Sequence, residues 1–155
     1  MRIEGPEIYK LALKPTAFTV LCAKGTDKFS GLATNNLPKL YIVSVSGKPV
    51  YVGYTKRSVR GRLRDGWNAT GHNGYHGYAW RHGSDNAVLS VWCHMDAIDR
   101  NEQDIETVEA EVVFLIRSAG QWPEFQTEIH FHPSTDIHRK VAKDIMRHYS
   151  SLIGL

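Results

Sequence analysis

Cysteine is scarce in this chain. Cys22 and Cys93 are the only two among 155 residues, far apart and without the CxxC spacing of a zinc or redox motif. That excludes a disulfide framework and a structural zinc site of the usual kind, and fits reduced thiols. No neighbouring motif activates either thiol, so a Cys/His enzyme is poorly supported. Long apolar runs are missing too: the longest, Val112 to Ile116, falls far short of a membrane span. The N-terminal MRIEGPEIYK has no continuous apolar stretch of the secretory kind. A cytoplasmic protein without a membrane partner is the expectation. There is no internal repeat and no excess of one charge, the net being +3 with neutral histidines.

What is present is ordinary in amount and uneven in placement. Apolar residues make up 42% and charged residues 23%, as in a soluble globular domain. A chain of this length buries about two thirds of its unfolded surface, and one domain accounts for all of it. From Tyr54 to His82, Lys56, Arg57, Arg60, Arg62, Arg64 and Arg81 face a single acid, Asp65, and three histidines accompany them. From Asp96 to Glu111, seven acids face one base, Arg100. A basic lobe beside an acidic helix can hold a phosphate backbone and a divalent cation on neighbouring surfaces. Two solvated helix faces would give the same counts.

The organising stretch is Leu40 to Asp65, LYIVSVSGKPVYVGYTKRSVRGRLRD. Two β-branched, tyrosine-containing runs, Leu40 to Val45 and Val50 to Thr55, flank a Gly47-Lys48 turn, which predicts a β-hairpin feeding a basic helix from Ser58 to Asp65. Ser58 is the candidate N-cap and Gly66 the stop. Tyr41 and Tyr51 share a face only if the register sum is even. A three-residue loop, Ser46 to Lys48, gives that register, and a two-residue loop opposes the tyrosines. The even register groups Tyr41, Val43, Tyr51, Gly53 and Thr55 on one face, and Leu40, Ile42, Val50, Val52 and Tyr54 on the other.

Residues 1 to 38, broken by Pro6, Pro15, Gly25 and Gly31, read as one strand, Ala17 to Ala23, plus loop that pads the sheet or grips a partner. Gly66 to Asn86 is long for a connection and rich in Gly, His and aromatics. Trp67, Tyr75, Tyr78 and Trp80 suit stacking on bases, and a short helix burying Tyr78 and Trp80 fits equally well. Ala87 to His94 reads as the third strand. A helix follows from Asp99 or Asn101 to Arg117, ended by Gly120, with a buried stripe of Ile105, Val108, Val112 and Ile116. Glu124 to His132 extends as a further strand or leads onward. A last helix capped by Ser134 or Asp136 carries Val141, Ile145, Met146, Tyr149 and Leu152 at helical spacing.

Lys39-Leu40-Tyr41, then Tyr51-Val52-Gly53, Thr55 and Arg62-Leu63, and a glutamate in TVEAEVVFLIR, together resemble the GIY-YIG nuclease superfamily over roughly residues 39 to 118. The resemblance implies an α+β fold: a small, mainly antiparallel three-stranded sheet flanked by helices, here with N-terminal and C-terminal extensions. It implies a metal-dependent DNA endonuclease with Mg2+ or Mn2+ as cofactor. Tyr41 is then the activator of the attacking water and Tyr51 its orienter. Gly53 leaves room for substrate backbone, and Arg62 clamps the scissile phosphate. Glu109, bordering the buried stripe, is the metal ligand, with Glu111 the alternative. Lys56, Arg57, Arg60, Arg64 and Arg81 are candidate contacts to flanking phosphates.

Two departures stand out. Many members carry a histidine one turn after the arginine, where this chain has Gly66, so His72 or His76 would substitute, with His76 the catalytic candidate. Many end the glutamate helix with an asparagine, for which Gln126 is the nearest analogue. His130 and His132, alternating in EIHFH, read as polar strand positions. A homodimer is one way for a single site to cut both strands. The other reading is a nucleic-acid-binding module with the same fold and no catalysis.

Overall fold

A computed structural model describes residues 1–14, 17–22, 25–68, 80, 84–96, 101–119 and 131–149. It is an α+β fold: a five-stranded antiparallel sheet with three α-helices. The strands are β1 (Ile3–Leu13), β2 (Phe18–Cys22), β3 (Lys39–Val45), β4 (Lys48–Thr55) and β5 (Asn86–His94), in the spatial order β2-β1-β5-β3-β4. The helices are α1 (Val59–Asn68), α2 (Asn101–Ser118) and α3 (Asp136–Met146).

The expected three-stranded sheet corresponds to β5-β3-β4. The N-terminal segment is not padding: it supplies two further strands, and β1 lies inside the sheet between β2 and β5. Pro6 and Gly5 punctuate β1 without ending it, because the register shifts there, between Glu4 and Glu7, and pairing with β5 resumes. Beyond the shift, Tyr9, Leu11 and Leu13 alternate inward.

The hairpin has the shorter of the two loops considered, placed one residue earlier than the expected Gly47-Lys48 turn, yet it keeps the tyrosines on one face. Its loop is the two-residue Ser46-Gly47, both at positive φ (51° and 78°), as a type I′ turn requires. Val45 therefore faces Lys48 and Ser44 faces Pro49. A bulge at Val50 then inserts one residue into β4, so that Val43 faces Tyr51 and Tyr41 faces Gly53. The tyrosines end on one face despite the short loop. Val50 joins them in the core, contrary to its expected place with Leu40 and Ile42.

Each face of the sheet has its own core. On one, Tyr9, Leu11, Tyr41, Val43, Leu89 and Val91 pack under Val59, Leu63 and Trp67, the i, i+4, i+8 stripe of α1. α1 runs past Gly66, a buried residue inside the helix rather than its stop. Trp67 and Trp80 are buried here, edge to face at 5.0 Å, so both serve the core and not base stacking. On the other face Leu40, Ile42, Val52 and Trp92 meet α2 through the expected stripe Ile105, Val108, Val112 and Ile116, and α3 through Ala142, Ile145 and Met146.

α3 is capped by Thr135, between the two residues expected to cap it. A buried polar junction fixes it to α2 and β5. His138 Nε2 lies 2.7 Å from Asp104 Oδ1, and His94 Nε2 lies 3.2 Å from Oδ2 of the same carboxylate. Each imidazole accepts a backbone N–H at Nδ1, from Thr135 (3.1 Å) and Asp96 (3.2 Å). Each therefore carries its proton on Nε2 and donates it to Asp104. Tyr75, Tyr78, His130, Glu124 to Ile129, Gly120 and Leu152 lie outside the described residues.

Candidate active site

The hairpin register sets Tyr41 directly opposite Gly53. A Cβ at residue 53 would stand 2.4 Å from Tyr41 Cζ and 2.5 Å from its hydroxyl oxygen, and 2.8 Å from Tyr51 Cε1. The space left by the missing side chain is filled by the Tyr41 ring, not kept open for substrate backbone, which corrects the role expected of Gly53. The Tyr41 and Tyr51 rings lie 6.0 Å apart at 34°. Tyr41 is 1% exposed and Tyr51 is half-buried.

Arg62 on α1 and Glu109 on α2 both act on Tyr51. Burial pushes the Tyr51 phenol far above its usual range, and Tyr41 adds to this by its charge; Arg62 pulls it back down; Glu109, and a hydrogen bond with Tyr41, push it up again. Tyr51 thus keeps its proton at neutral pH. The Tyr41 and Tyr51 rings are neighbours on the sheet face that α1 covers, α2 packs on the other face, and the charges of Arg62 and Glu109 both reach Tyr51. Glu109 is 5% exposed and Glu111 is half-buried.

The sequence reading missed Tyr54 and Glu102. Glu102, Glu106 and Glu109 recur at i, i+4 and i+7 on α2, a spacing that lines up one helical face and was visible in the sequence. Tyr54 on β4 meets that face. Its phenol is pushed up by burial first, then by a hydrogen bond donated to Glu102, then by the charges of Glu102, Glu106 and Glu109. The same hydrogen bond, with Lys56, holds Glu102 below the usual carboxylate range.

Among the flanking basic residues, Lys56 Nζ is 3.2 Å from Glu102, and Arg57 is ion-paired with Asp65. Arg64 is exposed and Arg60 half-buried, its guanidinium 5.4 Å from the centre of the Phe29 ring. Lys39, beside Tyr41 in the first motif, is fully buried; its ammonium donates to Leu37 O (2.6 Å) and Lys56 O (3.4 Å), and burial brings its pKa down to about 8. Cys93 is buried and its thiol is pushed up by that burial, the opposite of a nucleophile's needs. His72, His76, Arg81 and Gln126 lie outside the described residues.

Among the described residues no group of three or more His, Cys, Asp or Glu forms a ready metal site, and no helix is long and apolar enough to cross a membrane. A lone carboxylate such as Glu109 still fits magnesium, which keeps several of its waters. Among protein-family models, curated proteins and solved structures, none matches this chain.

Proposed function

We propose that the chain is a DNA endonuclease of the GIY-YIG type, hydrolysing phosphodiester bonds by direct water attack. The observation that carries this reading is the pair of neighbouring phenols from β3 and β4, with the charges of Arg62 on α1 and of the buried Glu109 on α2 both reaching Tyr51, in the chain order the motifs require. In this reading Tyr51 orients Tyr41 through its hydroxyl. Arg62 neutralises the charge that grows on the non-bridging oxygens. Glu109 would hold a divalent cation, whose chemistry when bound would be Lewis-acid stabilisation of the phosphate.

Incubation with plasmid or oligonucleotide in Mg2+ or Mn2+, with sequencing of product ends, tests this directly. Arg62→Ala is expected to cost about a hundredfold or more in turnover. A folded Arg62→Ala variant that cuts at the parent rate removes Arg62 from the mechanism. The enclosure of Tyr41 favours one other reading, a nucleic-acid-binding module without catalysis. Salt-sensitive binding with no nicking in either metal would establish it.

A further inference from the structure

A cavity of about 610 Å³ lies away from the tyrosines, between β2, residues 27–34 and the start of α1. One wall is apolar, with Phe18, Val20 and Phe29, and Lys28 and Arg60 bring positive charge to its rim beside Asp27. Arg60 lies over the Phe29 ring, and a guanidinium held in this way is itself a stacking surface for a flat unsaturated ring. Ser58, whose Oγ accepts the Gly61 N–H at 3.2 Å, puts the first turn of α1 at the same cavity. Apolar wall, cationic rim and helix start suit a flat ring system carrying an anionic group. The volume falls within the usual range of ligand sites.

α1 connects this cavity to the candidate active site. Arg60 lines the cavity and Arg62 acts on Tyr51. Two residues apart on an α-helix, they project about 200° from each other, so α1 is a ridge with one arginine on each flank. On the nuclease reading, a DNA strand with a phosphate at Arg62 would cross this ridge toward the cavity that Arg60 lines. A paired base in a continuous duplex cannot enter, because its edge and both faces are already engaged.

We propose that the Phe18–Phe29–Arg60 cavity receives one unpaired nucleotide of the DNA, making the substrate a strand with an extrahelical or single-stranded base near the scissile bond. This rests on the nuclease reading and narrows it. The test is fluorescence anisotropy of the full chain in EDTA, with a 20-base-pair duplex bearing one extrahelical thymidine. The fully paired duplex and the same bulge with an abasic residue are the comparisons. Expected is binding to the bulged duplex about tenfold tighter than to either comparison. Thr34→Trp, which fills the cavity from an exposed position, should bring that preference to within about threefold while leaving affinity for the paired duplex unchanged. Thr19→Trp, exposed on β2, does the same should the first variant fold poorly.

Equal affinity for all three duplexes overturns the proposal, as does a preference that both filled variants retain. Thymidine monophosphate that binds as tightly as the bulged duplex would mark a free-nucleotide site and also overturn it. Metal-dependent cutting without a bulge preference sinks the cavity proposal and spares the nuclease. A bulge preference without cutting supports the cavity and leaves the nuclease reading to fail alone.

Discussion

Tyr41 and Gly53 show how one residue fixes the chemistry available to another. With a Cβ position 2.4 Å from the Tyr41 ring, Gly53→Ala must displace the phenol or bend β4. Overpacking of this kind costs about 1–3 kcal/mol. Urea denaturation should show that loss, and cleavage should fall with it; an alanine variant of parental stability would mean the ring moves freely. Lys39 offers a second residue-scale test. Its folded pKa of about 8 is below the ordinary lysine value, so the unfolded chain binds the extra proton between those values and stability rises with pH there. Lys39→Met removes the buried charge. Its stability advantage should shrink by about 1 kcal/mol from pH 7 to pH 9. The buried tyrosines titrate in both proteins, and Cys93, whose thiol the Lys39 charge pulls down, is replaced by Ala in both so that the difference isolates Lys39. A pH-independent difference would show that the ammonium is not desolvated as its burial implies.

At the scale of the element, α3 depends on a junction that no hydrophobic pattern reveals. Asp104→Ala would strand two buried Nε2–H donors, at about 1–3 kcal/mol each. The expected result is a loss of about 3 kcal/mol in chemical denaturation, with amide exchange in α3 accelerating more than exchange in β3. Equal acceleration everywhere would show that α3 and the sheet open only together. α2 shows the opposite case. Its buried stripe was legible because apolar residues at i, i+3, i+7 and i+11 define a face before any partner is known. The acidic stripe beside it was equally regular, but only tertiary structure gives it its partners, Tyr54 and Lys56 at Glu102 and His132 at Glu106.

The whole molecule is organised by a sheet larger than its motifs advertise. Because β1 sits between β2 and β5 and carries Tyr9, Leu11 and Leu13 into the core, β1 and β2 are part of the folding unit. Deleting them should abolish a cooperative thermal transition, each lost large side chain costing about 2–5 kcal/mol against a total stability of about 5–15 kcal/mol. A truncated chain that still melts cooperatively would make β3, β4, β5 and the helices an independent core.

The hairpin, the third strand and the helices that follow it were legible before any partner was known, because alternation, helical spacing and turn residues are local properties of the chain. Tertiary structure alone decided what their side chains face. The bulge at Val50 returned the tyrosines to one side, the Tyr41 ring took the space over Gly53, and Glu102 and Asp65 claimed Lys56 and Arg57. β1 was hidden for the same reason: Gly5 and Pro6 look like a break until β5 supplies the neighbouring strand across which the register can shift.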